Sequence, residues 1–264
     1  MYFKKTTNAE TFCKEVFMDL TKMNAALQEL RSKYAVANNG EIIAAPCGDM
    51  GAGAILKCCC GKNIPLLPWR KERRFFELKN LVDTNTLEDV STLRFAWISS
   101  EKTLAQLLYR ELDLCEYIGE SPIVSIFATL GGDKTANAIV KLADTKSCSV
   151  ECSAGLPKGA EEIDKHEIIA RRGIGCDRVV DSQIPMSSIY EFTEDGEKRF
   201  TDVDTELYGF STEEIWLIRA AFEVLAKPEL ADIWIKADAS IRKKVAAALE
   251  TEKKGAVALF GEED

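Results

Sequence analysis

The first hundred residues alternate between helical and extended hydrophobic patterns. An apolar stripe at helical spacing runs from Phe12 to Tyr34, after Thr7 and Glu10, which have the spacing of a capping box. Further elements are predicted in the order strand Glu41–Ala45, helix Ala52–Cys60, strand Ile64–Leu67, helix Lys71–Val82, a strand through Leu93, Phe95 and Trp97, and helix Lys102–Ile118.

The middle of the chain, from Ile123 to Asp202, has short runs of β-branched and aromatic residues between glycines, prolines and turn dipeptides. Asp195-Gly196 is one such dipeptide and indicates a hairpin. Consecutive strands with short connections favour a largely antiparallel sheet. After this sheet the pattern returns to helices, over Thr212–Leu225, after Pro228, and over Ser240–Lys253 with Gly255 as its end.

Composition and charge limit the partners and the cellular location that this chain can have. The chain has 264 residues, of which 46% are hydrophobic and 29% charged, as in ordinary globular proteins. Its net charge of -9 argues against nucleic acid or an anionic membrane as the main partner. No apolar run approaches the ~20 residues of a membrane span, and the first residues lack the apolar segment of a secretory signal. We therefore expect a cytoplasmic protein.

The nine cysteines predict neither a disulfide framework nor a metal site. Cys58, Cys59 and Cys60 are adjacent in a predicted helix, where neighbouring side chains diverge. Cys148 and Cys152 share one face of a predicted strand at a separation of ~13 Å, too far for one zinc ion with ~2.3 Å bonds. We expect all nine to be small buried packing residues.

The stretch "GEIIAAPCGDMGAG" contains glycines in an order that does not match a nucleotide-binding fingerprint. Gly48, Gly51 and Gly53 read G-x-x-G-x-G, the reverse of the dinucleotide motif. Glu72 lies where an acidic residue for a ribose would be, but it belongs to the charged run "KERR", which we expect to face water. The pattern therefore favours a tight strand-to-helix turn over a phosphate site.

Six segments in sequence order resemble Gfo/Idh/MocA-type oxidoreductases: "GEIIAAP", "IPLLPWRKERRFFELKNLVD", "LLYRELDLCEYIGE", "ANAIVKLADTKSCSVECSAGLP", "HEIIARRG" and "VAAALETEKKGAVAL". The resemblance implies an α/β plus α+β fold. Residues 1–100 would form a reduced, incomplete Rossmann-like unit. Residues 101–264 would form an open, mostly antiparallel sheet domain with helices on one face and a C-terminal helix packed back. Members of this family use NAD(P) to oxidise or reduce sugars, polyols and related molecules.

The resemblance also implies catalytic positions, and this sequence departs from the family at each of them. The family's Glu-Lys-Pro lysine corresponds to Ala45, and its aspartate and histidine correspond to Gln106 and Arg110. Alanine and glutamine do not titrate near neutral pH, and arginine stays protonated. His166, the one histidine of the chain, matches the sheet motif instead, where we expect it to pack or to form hydrogen bonds. We therefore predict no catalytic residue of the family type.

Cofactor binding is predicted to be lost as well. The dinucleotide fingerprint belongs to the first βαβ unit, which takes ~30 residues or more, whereas only 40 residues precede Glu41 and they read as one helix. We therefore expect the chain to bind neither NAD nor NADP. If a dinucleotide site is completed in a different way, we expect one of these two cofactors to bind there.

Three hypotheses for function remain open. The first is a structural, regulatory or partner subunit, a homodimer or a heteromer with a full-length relative, since family members associate through the outer face of the sheet. The second is an NAD(P)-dependent oxidoreductase of a sugar-like molecule whose site another chain completes. The third is a small-molecule binding module. The residues proposed for the interface are Ile139, Leu142, Val150 and Cys152, and those proposed for substrate binding are Trp69, Arg70, Arg110 and Arg171.

Overall fold

The fold is a mixed α/β arrangement of two sheets and their helices. The computed structural model describes residues 18–46, 48–177, 188–193, 196–201, 207 and 209–261. Thr7, Glu10, Asp195 and the first part of the predicted N-terminal helix lie outside these residues. The described helices are α1 (Leu20–Lys33), α2 (Arg73–Asp83), α3 (Leu104–Gly119), α4 (Thr212–Ala226) and α5 (Leu230–Lys254), with a short 3₁₀ turn at Pro68–Lys71.

The smaller sheet has three antiparallel strands, β1 (Gly40–Ala44), β2 (Ala54–Cys58) and β3 (Asn63–Pro65). The predicted helix Ala52–Cys60 and the strand-to-helix turn before it are therefore wrong, because this segment is the second arm of a β-hairpin. Ala54 and Leu56 are buried while Lys57 is exposed, which is the alternation of a strand with one covered face. Gly53 has a φ of +75° at the start of β2, a conformation that suits glycine.

The larger sheet has nine described strands, and its character confirms the predicted open, mostly antiparallel sheet. The order across it is β11-β10-β9-β8-β4-β7-β6-β5-β12, and β4 pairs parallel with β7 and antiparallel with β8. Its strands are β4 (Thr92–Ile98), β5 (Ile123–Gly131), β6 (Thr135–Leu142), β7 (Ser147–Ser153), β8 (Ile163–Ala170), β9 (Gly173–Cys176), β10 (Ser188–Thr193), β11 (Gly196–Thr201) and β12 (Ala258–Leu259). The division into residues 1–100 and 101–264 stays a prediction, and it has to accommodate β4, which precedes residue 100 yet lies near the middle of this sheet.

The C-terminal helices are longer and more continuous than the hydrophobic pattern predicts. α5 joins the segment after Pro228 to the predicted helix Ser240–Lys253, and it ends at Gly255, whose φ is +60°. α5 contacts β3 of the small sheet as well as α3 and β5. Its length places one helix against both sheets, so the two sheets share a continuous core.

Helices α2, α3 and α5 pack on one face of the large sheet. Three of the four proposed interface residues, Leu142, Val150 and Cys152, point into this core and are at most 2% exposed. Their assignment to a partner surface is therefore wrong, because alternate residues of a strand point to opposite faces. Ile139 points the other way and is 54% exposed.

None of the helices in the described part of the chain is both long enough and apolar enough to cross a bilayer.

Candidate functional site

A cavity of about 170 Å³ lies where the first turns of α3 and α4 meet the 3₁₀ turn, the end of β4 and the loop before β2. Three tryptophans, Trp69, Trp97 and Trp216, contribute to its wall. The polar residues that line it are Glu72, Lys102, Gln106, Arg110 and Glu213. Gln106 and Arg110, which the resemblance places at catalytic positions, thus both line one cavity together with three aromatic side chains.

Gln106, which the resemblance places at an aspartate position, helps to cap the start of α3. Thr103 is the N-cap, and its hydroxyl accepts a hydrogen bond from the Gln106 backbone, while Gln106 Oε1 accepts from the Thr103 N–H at 2.9 Å. Gln106 Nε2 also donates to the carbonyl of Asp49 at 3.3 Å. This capping box satisfies donors that the helix itself leaves open, so the glutamine has a structural role at the cavity wall.

Arg110, at the family's histidine position, is surrounded by acceptors. Its Nε donates to Glu111 at 2.8 Å, and its two terminal nitrogens donate to both oxygens of Asp164. The guanidinium carbon lies 3.3 Å from the ring centroid of Trp97. Burial acts to lower the pKa of Arg110, but Asp164 and Glu111 outweigh it and raise that pKa. Arg110 therefore stays charged and cannot take a proton from a hydroxyl group.

The four proposed substrate-binding residues are not brought together. Trp69 and Arg110 line the cavity, whereas Arg70 and Arg171 are not among its lining residues. Asp113 accepts from Trp69 Nε1 at 2.6 Å and from Arg70 at 2.9 and 2.6 Å. Arg171 is on the surface, with its side chain 69% exposed and 3.6 Å from Glu88. Ligand binding by Trp69 and Arg110 stays a prediction.

His166 lies on β8 and is completely buried. Its Nδ1 contacts Asp177 at 2.7 Å and its Nε2 contacts Glu111 at 2.9 Å. Burial acts to lower the pKa of His166, but Glu111 and Asp177 outweigh it and raise that pKa to about 9. The imidazole is therefore a charged link between two carboxylates, and it forms hydrogen bonds inside the core as the sequence predicts.

Arg74 extends this cluster toward the cavity. It donates to Glu72, to Asp164, and to Asp177 at 2.9 Å. The pKa of Asp164 is lowered because its two arginines outweigh the effect of burial. The cluster as a whole contains three cationic side chains, Arg74, Arg110 and His166, and four carboxyl groups, Glu72, Glu111, Asp164 and Asp177. One carboxyl group is in excess.

Glu72 was expected to face water, and that prediction is wrong, since it is only 4% exposed. The "KERR" run does not form a solvated face because Arg74, Glu77 and Leu78 point toward the core on the inner side of α2. A helical wheel of "RRFFELKNL" places Arg74 and Leu78 on one face, which is the pattern that could have indicated a buried arginine and hence a buried acidic partner.

Glu111, Asp164 and His166 have ligand atoms within 4.8 Å of one another, the one such group among the described residues. Each of them already bonds to a partner in the cluster, and two arginines lie beside Asp164. These bonds occupy the atoms that a metal would need, so the group does not fit a cation site.

The described cysteines differ in burial. Cys115, Cys148, Cys152 and Cys176 are buried, while Cys59 and Cys60 are exposed, so burial of all nine is wrong. The two exposed thiols follow β2 in a turn, where the absence of a helix leaves them outside the core. Burial raises the pKa of Cys115 and of Cys152, which makes these two thiols unreactive. Cys13 and Cys47 lie outside the described residues.

Comparisons with known proteins find structural likeness only. No family model and no curated protein matches the sequence. Among solved structures, an oxidoreductase from Agrobacterium radiobacter in complex with NAD⁺, L-tartaric acid and magnesium is 11% identical with a TM-score of 0.60, over 73% of this chain and 63% of that one. Levoglucosan dehydrogenase, in complex with NADH and levoglucosan, is 12% identical with a TM-score of 0.59, over 73% and 64%.

A third structure, myo-inositol 2-dehydrogenase from Lactobacillus plantarum, is 11% identical with a TM-score of 0.54, over 74% of this chain and 64% of its own. The matched region is thus less than two thirds of these proteins. Together they confirm the resemblance to Gfo/Idh/MocA-type oxidoreductases at the level of the fold. At these identities the likeness defines the fold alone.

Proposed function

We propose that this protein binds a small, neutral, hydroxyl-rich molecule in the tryptophan-lined cavity and does not oxidise it with a dinucleotide. The observation that carries the proposal is Arg110, which occupies the position of the family's proton-accepting histidine while its nitrogens donate to Asp164 and Glu111. A permanently charged, fully paired guanidinium cannot remove the proton that hydride transfer from an alcohol requires.

The other two family positions support the same proposal. Ala45, at the lysine position, has no titratable group, and its N–H closes the β1–β2 hairpin onto Gly53 at 2.9 Å. Gln106 is used by the capping box of α3. None of these three residues can exchange a proton near neutral pH, so proton transfer of the family type is not available at these positions and we propose binding as the function of the cavity.

The walls of the cavity favour a neutral ligand. Trp97 and Trp216 present aromatic surface, which packs well against the apolar face of a ring compound. The two cationic side chains at the cavity, Arg110 and Lys102, already contact carboxylates, Lys102 with Glu213 at 3.4 Å. An anionic ligand would have to displace these partners, whereas a polyol or sugar would not. Levoglucosan and L-sorbose, which are bound in structures of levoglucosan dehydrogenase, are therefore suitable first probes.

The test is a calorimetric titration with levoglucosan, L-sorbose and myo-inositol, beside NAD(H) and NADP(H). We expect binding of at least one polyol or sugar, and dinucleotide binding no tighter than roughly millimolar, about -4 kcal/mol. Trp216→Ala should weaken binding of that probe about tenfold, and Phe76→Ala, which removes an aromatic ring that is 51% exposed outside the cavity, should not. Micromolar NAD(P)(H) affinity would contradict the proposal and favour an oxidoreductase whose site another chain completes.

A structural, regulatory or partner subunit is the second candidate function. The observation that favours it is the open face of the large sheet, where Ile139, Ile163 and Ile174 are 54%, 40% and 43% exposed. Large exposed apolar side chains on a sheet face are suited to a protein interface. A homodimer and a heteromer with a full-length relative would both use this face, and ligand binding in the cavity is compatible with either.

A further inference from the structure

Glu72 is the buried acidic group of the cavity. It lies between the 3₁₀ turn and α2, and its side chain does not cap α2. Its Oε1 accepts from Arg74 Nε, whereas its Oε2 is buried without a hydrogen-bond partner in the described part of the chain. A buried acceptor without a donor destabilises the folded state, so a donor supplied by a ligand would be favourable there.

The charges around Glu72 leave it as the carboxyl group in excess. Arg74 on the following turn is shared with Asp164 of β8 and Asp177, and Arg110 of α3 is shared with Asp164 and Glu111. Burial raises the pKa of Glu72 to about 7, and Arg74 opposes this shift without cancelling it.

The remaining charged groups of the neighbouring elements are engaged elsewhere. Lys102, before α3, pairs with Glu213 of α4, and Lys71 of the 3₁₀ turn pairs with Glu223 of α4. His166 of β8 lies between Glu111 and Asp177. No described cation other than Arg74 therefore forms an ion pair with the Glu72 carboxyl group.

We propose that Glu72 accepts a hydrogen bond from a hydroxyl group of the bound ligand and releases its own proton to solvent when the ligand binds. The inference rests on the proposed function and adds the group that recognises the ligand. A hydroxyl donor strengthens its bond when the acceptor is ionised. The bound state therefore favours the carboxylate, while the empty cavity favours the protonated acid at and below neutral pH.

The sign of the pH effect follows from this proton release. Below pH 7 the ligand must displace a proton from Glu72, so affinity should fall by about tenfold for each pH unit of acidification. Above pH 7 the group is already ionised and affinity should level off. Glu41 is exposed on β1 and does not line the cavity, so it supplies a matched control for a change from glutamate to glutamine.

The experiment is calorimetry of the full chain with levoglucosan, L-sorbose and myo-inositol at pH 6 and pH 8.5, in buffers of different ionisation enthalpy. Wild type should release about one proton per ligand at pH 6 and about none at pH 8.5. Glu72→Gln should release none at either pH and bind about tenfold more weakly than wild type at pH 8.5. Glu41→Gln should behave as wild type, and circular dichroism shows whether each variant is folded.

The outcomes separate the two proposals. Wild-type binding without proton release at pH 6 overturns the role of Glu72 and leaves the proposed function standing, and this result needs no variant. The proposed role of Glu72 is also overturned if the folded Glu72→Gln variant binds a probe with unchanged affinity. If none of the three probes binds wild type at either pH, the proposed function fails and the inference fails with it.

Discussion

At the scale of single residues, the charged cluster next to the cavity works as one unit. Glu111 contacts both Arg110 and His166, and Asp177 contacts both His166 and Arg74. Removing one member leaves an uncompensated buried charge on its neighbours, which is more destabilising than the loss of an exposed ion pair. The side chains of Arg110 and His166 are thus held in place by ion pairs inside the core.

His166 should give the protein a measurable pH dependence. Its pKa in the folded chain, about 9, is above the ordinary value of 6.5, so its contribution to stability is fully present below pH 6.5 and is lost as pH rises through 9. We expect the free energy of unfolding in urea to fall over this range, by up to about 3 kcal/mol.

The one histidine of the chain makes the measurement direct. Its imidazole resonance in NMR should titrate near pH 9 in the folded protein and near pH 6.5 in urea. A folded-state midpoint at or below 6.5 would contradict the charged bridge between Glu111 and Asp177.

Restoring the family histidine should not restore an enzyme. Arg110→His removes the donors to Asp164 and Glu111, and we expect the free energy of unfolding to fall by about 3–5 kcal/mol, with no NAD(P)-dependent oxidation of levoglucosan or myo-inositol. Arg94→His is the matched control, since Arg94 is 58% exposed on β4 and its substitution should change stability by about 0.5 kcal/mol or less. A stable Arg110→His chain with dehydrogenase activity would refute this account.

The sequence places Gln106 and Arg110 at two of the family's catalytic positions, which stays a prediction, and it does not predict how these side chains are paired. Gln106 and Arg110 follow from the spacing of one helix. The pairing of Arg110 depends on Asp164, which is 54 positions away along the chain and lies on β8, the strand that pairs with β4. The prediction that Glu72 faces water is wrong for a similar reason, since the burial of Glu72 depends on which face of α2 packs against the core.

At the scale of elements, the clearest difference between prediction and structure is the β1–β2 hairpin. "AILKC" is a short apolar run, which does not distinguish a strand from a helix by periodicity. The hydrophobic pattern predicted a helix over Ala52–Cys60, yet Ala44 pairs with Ala54 across an antiparallel hairpin. Long periodic segments such as α3 were predicted within two residues at each end, because a full amphipathic stripe leaves little ambiguity.

The capping box that starts α3 should contribute to stability in its own right. Thr103→Ala removes the hydroxyl that accepts from the Gln106 backbone and should lower the free energy of unfolding by about 1 kcal/mol. Ser100→Ala, three residues earlier, removes a hydroxyl whose one hydrogen bond among the described residues is to Glu101, and it should change the free energy of unfolding by less than about 0.5 kcal/mol. Equal effects in chemical denaturation would show that the box does not stabilise the helix.

At the scale of the whole molecule, the large sheet is covered on one side. α3 contacts the middle strands β4, β6 and β7, while α2 contacts β9, β10 and β11 and α5 contacts β5. The buried side chains of Leu93, Val150 and Ile168 lie on the face that these helices cover. The one-sided arrangement was predictable from the resemblance. The sequence does not predict which residues of each strand face outward, because shifting a strand by one residue exchanges its two faces.

The exposed face leads to a prediction about association. Twofold homodimers are the commonest closed assembly, and we expect a dimer that buries at least ~1,000 Å² in total through this face. Ile139→Glu places a charge at the middle of β6 and should shift the protein to monomer at micromolar concentration in light scattering. Ile233→Glu on α5 is the matched control, since Ile233 is 51% exposed against 54% for Ile139 and lies away from the sheet face. A wild-type chain that scatters as a 29.3 kDa monomer and co-purifies with no partner would remove the subunit hypothesis and leave ligand binding as the function.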